Sequence, residues 1–230
     1  MCRKSKICVL LGDDSSCWSK TGPLPPPDWF ESQAFLFRDA VKMACGGERE
    51  KTLGVLRQIR DEEMREWFCV HGQNSGYFRS KKFPVELTRV SPDRLDPRRF
   101  PVKYERAVFE RDHYTCRYCG LKVIAKEVMY AFEKIVGSEK FRTKGCNAVQ
   151  HGCIHAFKPV ADHVIPHHLG GRTDMGNLVT SCPACNYGKY NYTIEQLGIS
   201  DPRERLPVAS DWDGLRSLLP SLENLLKTKS

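Results

Sequence analysis

Asp162-His163-Val164-Ile165-Pro166, Gly170-Gly171, Asn177-Leu178-Val179-Thr180 and Cys182-Pro183-Ala184-Cys185-Asn186 follow one another in a single short stretch of the chain. The first segment reads as a strand running into a turn, the glycine pair as a hairpin tip and Asn177 onward as the returning strand. Proline is favoured in the first turn of a helix, so a helix is expected to begin at Pro183. The order is strand, strand, helix. It puts Asn186 in the first helical turn, facing the hairpin and close to Asp162.

The cysteines work outward from that stretch. Cys182-x-x-Cys185 has an earlier counterpart, Cys116-Arg-Tyr-Cys119-Gly120. A Cys-x-x-Cys turn brings two thiolates to one ion from a single tight loop, and two such turns complete a closed tetrahedral Zn2+ site. Four thiolates leave no open position for water, so this zinc is structural. It would join segments far apart in sequence, which a small core holds together poorly.

Asp162, His163 and Asn186 offer different chemistry. A carboxylate and an amide oxygen suit a hard divalent ion that keeps several positions free for water and phosphate. A neutral imidazole beside that ion can take a proton from an attacking water. Activated water, charge neutralisation and a stabilised leaving oxygen are what phosphodiester hydrolysis requires.

Taken together, Arg106-x-Val-Phe-x-Arg-Asp-x-x-x-Cys-x-x-Cys-Gly, Asp162-His163-x-x-Pro-x-x-x-Gly-Gly, Asn177-Leu-Val and Cys182-x-x-Cys-Asn-x-x-Lys resemble the HNH endonuclease family of the ββα-metal fold over residues 98–192. The resemblance implies His163 as general base, Asp162 and Asn186 as ligands of the catalytic metal, and Asn177 as the brace of the loop carrying the base. It is similar to an H-N-N variant, which favours Mg2+ or Mn2+ over zinc at the catalytic centre. DNA, most simply duplex DNA, is the implied substrate. Arg172 and Lys189 are candidate phosphate contacts, as are Arg98 and Arg99. Two other readings stay open: a non-catalytic zinc module that binds nucleic acid, and an RNA-cleaving nuclease.

Composition agrees with a polyanionic partner. The formal charge is +8, and eight basic residues stand against three acidic ones between Arg79 and Lys103. A membrane protein is not expected, because no apolar run approaches the roughly 18 residues a span needs. Ile7-Cys8-Val9-Leu10-Leu11 reads as a buried strand rather than a secretory signal, and a cytoplasmic setting follows. Eleven cysteines cannot all pair within one chain, and in that setting Cys-x-x-Cys pairs are metal ligands more often than bridges.

The fold class expected is α+β, in three parts. Residues 1–97 form a mainly helical N-terminal region with a basic linker and a boundary near Asp96. There, Asp28 and Glu31 suggest a capping box for a helix carrying Phe30, Ala34, Phe37 and Val41, stopped at Gly46-Gly47. A second helix is expected over 48–71. Residues 98–200 form the nuclease domain with structural zinc, interrupted by an insertion at about 121–160. Residues 201–230 carry an amphipathic helix with a leucine stripe, Leu215, Leu218, Leu219, Leu222, Leu225 and Leu226, restarted or kinked at Pro220. That stripe packs on its own domain or, in a second reading, forms a homodimer.

The insertion contains an expected helix near 126–136 and then Cys146, His151, Cys153 and His155. These four are candidate ligands of a second zinc. The rival is an ordinary loop lengthening the edge that faces DNA.

Overall fold

The computed structural model describes residues 26–71 and 101–228. The expected strand at 7–11, most of the basic segment, Arg98, Arg99 and the boundary near Asp96 lie outside the described residues.

Three helices come first: α1 (Trp29–Cys45), α2 (Arg49–Leu56) and α3 (Asp61–His71). α1 exists because Phe30, Ala34, Phe37, Val41 and Ala44 fall on one face, and all five are buried. The capping box expected at its start does not form. Asp28 is itself helical and its side chain makes no cap, since the chain leaves Pro27 through a turn whose carbonyls already accept the N–H groups of Phe30 and Glu31. Gly46 ends the helix as expected.

The single helix expected over 48–71 is two helices. Gln58 and Ile59 donate to carbonyls three residues back, Ile59 turns into the core, and the Arg60 N–H goes to Gln33 Oε1 at 2.9 Å. A buried side-chain acceptor on α1 thus takes over where the helical ladder stops.

After α4 (Val102–Arg111) come α5 (Lys126–Val136) and the short α6 (Gly152–Phe157). Both belong to the insertion, and their aromatic residues receive α1. Phe37 stacks on Phe141 at 5.1 Å between ring centroids and meets Phe132 edge-on at 5.1 Å, while Phe30 packs on Trp67 and Phe157. Each fully buried phenylalanine contributes about 1.5–3 kcal/mol. Gly152 closes the joint: a Cβ there would lie 2.5 Å from the Asp61 carbonyl oxygen. The insertion is therefore neither a loop nor a surface edge in this part; it seats the N-terminal helices on the rest of the fold.

β1 (Val160–His163) and β2 (Leu178–Ser181) form a two-stranded antiparallel sheet, with Asp162 opposite Val179 and His163 opposite Leu178. The outer edge of β2 is closed by side chains and loop backbone instead of a third strand. Thr180 N–H donates to Asp112 Oδ2 at 2.7 Å, Arg111 Nη2 donates to the Leu178 carbonyl at 2.8 Å, and Arg117 N–H donates to the Thr180 carbonyl at 2.8 Å. Covering an edge in this way prevents strand addition.

α7 (Pro183–Lys189) follows β2 directly with Pro183 in its first turn, and α8 (Ile194–Leu197) starts with a complete capping box from Thr193 and Gln196. The last helix, α9 (Leu219–Thr228), restarts at Pro220 and turns Leu222 into the core against α5 and α1. One buried cluster thus runs from Phe30 to Leu222, uninterrupted across the segment that separates the two ends of the sequence. Among the described residues no helix is long and apolar enough to cross a membrane.

Candidate active site

The two Cys-x-x-Cys turns meet. Cys116 and Cys119 lie on a turn closed by Gly120 N–H to the Cys116 carbonyl, with Gly120 at φ 84°. Cys182 is the N-cap of α7, and its sulfur accepts the Cys185 N–H at 3.5 Å. All four Sγ atoms lie within 4.8 Å of one another, and Cys119 and Cys182 are 3.7 Å apart. A tetrahedron with Zn–S bonds of about 2.3 Å has S···S edges of roughly 3.8 Å, so this donor set fits zinc in both type and size. Burial opposes thiolate formation, yet hydrogen bonds from the other three thiols hold Cys116 well below the usual thiol range. The quartet could bind zinc, and being nearly closed to solvent it would be a structural site.

Asp162, His163 and Asn186 line one open cleft of about 560 Å³, together with Pro166, Tyr187 and Tyr190. The last two residues of β1 supply the first pair and the first turns of α7 supply the asparagine. Lys189 near the end of α7 ties the helix to β1 through the His163 carbonyl and Asp162. Asp162 is buried, which pushes its carboxyl group above the ordinary range, against the pull of Lys189 and Tyr118. Two groups share its Oδ2: the Tyr118 hydroxyl donates at 2.7 Å, and the Lys189 ammonium sits 3.4 Å away. Burial and the neighbouring carboxylate keep the Tyr118 phenol protonated, so it remains a donor.

His163 is fixed at both ends. Its Nε2 is 2.8 Å from Thr173 Oγ1, and its backbone carbonyl accepts from Lys189 Nζ at 2.6 Å. Asn177 ties down the loop between the strands: its Oδ1 accepts the Ile165 N–H at 2.8 Å, and its Nδ2 donates to the carbonyls of Ile165 and Arg172 at 3.0 and 2.9 Å. Gly171 allows the loop to close so tightly, since a Cβ there would fall 1.8 Å from the Ile165 oxygen.

Lys189 is placed differently from its expected position as a phosphate contact. Its side chain is 1 % exposed and its ammonium is spent inward on Asp162 and the His163 carbonyl. A buried ammonium is retained only where such partners satisfy it. Arg172, by contrast, stands at the rim with its side chain 76 % exposed and paired to Asp174 at 3.5 Å.

The second zinc set does not assemble. Cys146 is exposed, whereas His151 Nδ1 accepts the Cys153 N–H as the N-cap of α6 and its ring lies 4.5 Å from Phe141. The His155 Nε2 pairs with the Asn147 carbonyl at 3.0 Å. Among the described residues, the quartet Cys116, Cys119, Cys182 and Cys185 is the group whose ligand atoms converge. His151, Cys153 and His155 are buried in the packing of the insertion, and Cys146 is exposed.

Sequence reasoning also missed Tyr118 and Thr173. Tyr118 sits between the two cysteines of its turn, in a position whose spacing signals only the metal; its contact with Asp162 spans 44 residues. Tyr190, which ends α7, has φ 49° and ψ −128°, a backbone that costs a residue other than glycine about 1–3 kcal/mol.

Neither the curated proteins nor the solved structures contain a match to this chain. One family model does match, over residues 154–191, which cover the last part of α6, the hairpin and α7 but leave out the first cysteine pair. That model is the HNH endonuclease, to whose domain this segment is similar.

Proposed function

We propose that the protein is a metal-dependent endonuclease that hydrolyses DNA phosphodiester bonds. The observation that carries this reading is the shared cleft of Asp162, His163 and Asn186, in a segment matched by a nuclease family. Binding alone requires none of the three.

Asp162 and Asn186 would hold the catalytic ion, an all-oxygen pair suited to Mg2+ or Mn2+. When bound, such an ion neutralises charge on the phosphate and on the departing oxygen. His163 is the general base. In the tautomer whose Nε2–H donates to Thr173 Oγ1, the basic lone pair is on Nδ1. It accepts the proton of a water whose oxygen forms a bond to phosphorus as the bond to the 3′ oxygen breaks; that oxygen then takes a proton from solvent. Lys189 and Tyr118 orient Asp162 without touching substrate, and Asn177 keeps the base loop rigid. Arg172 meets a backbone phosphate at the rim, and the basic segment containing Arg98 and Arg99 adds salt-sensitive affinity without sequence choice. One centre nicks one strand, so simultaneous cleavage of both would take a second copy of the chain.

The test is incubation of supercoiled plasmid, linear duplex and structured RNA with Mg2+ or Mn2+, with and without EDTA, alongside His163→Ala. Metal-dependent nicking of the plasmid that disappears in the variant is the expected result. Cleavage of RNA alone would change the substrate, and binding without cleavage in any metal would remove the enzymatic reading.

A further inference from the structure

Tyr190 is the residue that folding explains least. It ends α7 at φ 49° and ψ −128°, a positive-φ backbone that glycine adopts without strain. Yet it carries a large aromatic side chain that is 48 % exposed, so burial does not account for its choice either. It does line the cleft that holds Asp162, His163 and Asn186. The Tyr192 ring lies 6.2 Å away at an angle of 57°, which widens the aromatic surface at that end. The Tyr190 N–H donates to the Asn186 carbonyl at 2.9 Å, so the turn is tied to the helix that carries the third cleft residue.

Unfavourable backbone angles persist where function requires a side chain in a set position. An exposed aromatic face beside a phosphodiester site has one well-suited occupant, the face of an unpaired base, which it accepts regardless of base identity. We infer that Tyr190, extended by Tyr192, is a stacking platform for an unpaired nucleotide next to the scissile phosphate, and that the enzyme prefers nucleic acid with a single-stranded or flapped segment at the cleft over uninterrupted duplex. This rests on the nuclease reading of the cleft and adds its substrate preference.

The experiment uses the full chain in the His163→Ala background, so that binding is measured without cleavage. Fluorescence anisotropy is recorded with a labelled single strand, a flap and the matching blunt duplex. Tyr190→Gly adopts this positive-φ backbone without strain and removes the ring, Tyr190→Asn removes the ring but keeps a side chain, and Tyr190→Phe keeps the face. The expected result is a roughly tenfold loss of single-strand and flap affinity in the Gly and Asn variants, with duplex affinity unchanged and Phe close to the parent. Tyr190→Gly should melt no lower than the parent, which separates a lost contact from a lost fold. Equal affinity of parent and Gly variant for the flap would overturn the inference, as would a Phe variant as weak as Gly. Should the parent with His163 intact cleave nothing, the nuclease reading falls, while the platform is still judged on binding. Should it cleave flap and duplex equally well, only the preference falls.

Discussion

Two groups of cysteine and histidine lie in this chain, and the fold treats them in opposite ways. Cys116, Cys119, Cys182 and Cys185 come from two tight turns and a helix N-terminus, and their sulfurs converge. Cys146, His151, Cys153 and His155 sit closer together in sequence, but Cys146 is exposed while the other three go to a helix cap, a backbone carbonyl and the core. Proximity in sequence is a weaker guide than the turn that aims the side chains. A Cys-x-x-Cys turn directs both thiols to one point, whereas a segment that runs from a loop through a cap into a short helix aims its side chains in several directions.

The most direct way to break the comparison is to remove a ligand from each group. Cys182→Ser should lower zinc content below one ion per chain, measured by elemental analysis. It should also lower the melting temperature by roughly 10 °C or more, because structural zinc contributes folding free energy outright and each kcal/mol moves the midpoint of a chain this size by about 2–4 °C. Cys146→Ser, at an exposed position, should change neither. Zinc loss in Cys146→Ser would show that the insertion binds metal after all.

Next in size is the catalytic loss. His163→Ala should reduce the cleavage rate by roughly 10²- to 10⁴-fold, the range for a general base, with zinc content and melting temperature held. A comparable fall in zinc content would mean that the hairpin and the cysteine quartet are not separable units.

Tyr118→Phe sharpens the same point, because Tyr118 belongs to the cysteine turn but its hydroxyl donates to Asp162. Removing a hydrogen bond that orients a metal ligand typically costs roughly 10- to 100-fold in metal affinity or activity. The expected outcome is a higher Mn2+ concentration for half-maximal cleavage with zinc retained. An unchanged Mn2+ requirement would reduce Tyr118 to a packing residue.

What could be read from the sequence follows the range of the forces involved. The hairpin, α7 and the cysteine turns were legible because glycine pairs, proline at a helix start and Cys-x-x-Cys spacing act over a few residues. Asp162 and Asn186 reach one cleft for the same local reason. The burial of Lys189 is not legible locally, because a lysine one turn beyond a site residue is normally solvated; here it depends on β1, 26 residues away. The break at Gln58–Arg60 depends on Gln33, and the seating of α1 depends on Phe132, Phe141 and Phe157, none of which a periodic pattern can pair. Long-range partners decided these three departures, whereas the missing cap at Asp28 and the polar contacts of His151 and His155 are local.

The smallest effect concerns the other cluster and bears on pH. Burial drives the His151 pKa down to about 4, against the pull of Asp61, so the imidazole stays neutral in the folded protein. In the unfolded chain it titrates near 6.5, so between these values the unfolded state binds the additional proton. Stability from this group is complete above about pH 6.5 and declines as the pH falls toward 4, amounting to a loss of about 2 kcal/mol by pH 5. Urea midpoints at pH 7 and pH 5 should therefore differ more for the wild type than for His151→Phe, which keeps a ring against Phe141 but cannot titrate. Because this histidine serves packing and not metal, the acid-induced loss attributable to it should proceed without zinc release, whereas protonation at the quartet would expel the ion. Equal pH slopes in the two proteins would mean that His151 is more solvated than its place beneath α3 implies, and the contrast between an inert cluster and a ligating one would lose its firmest physical difference.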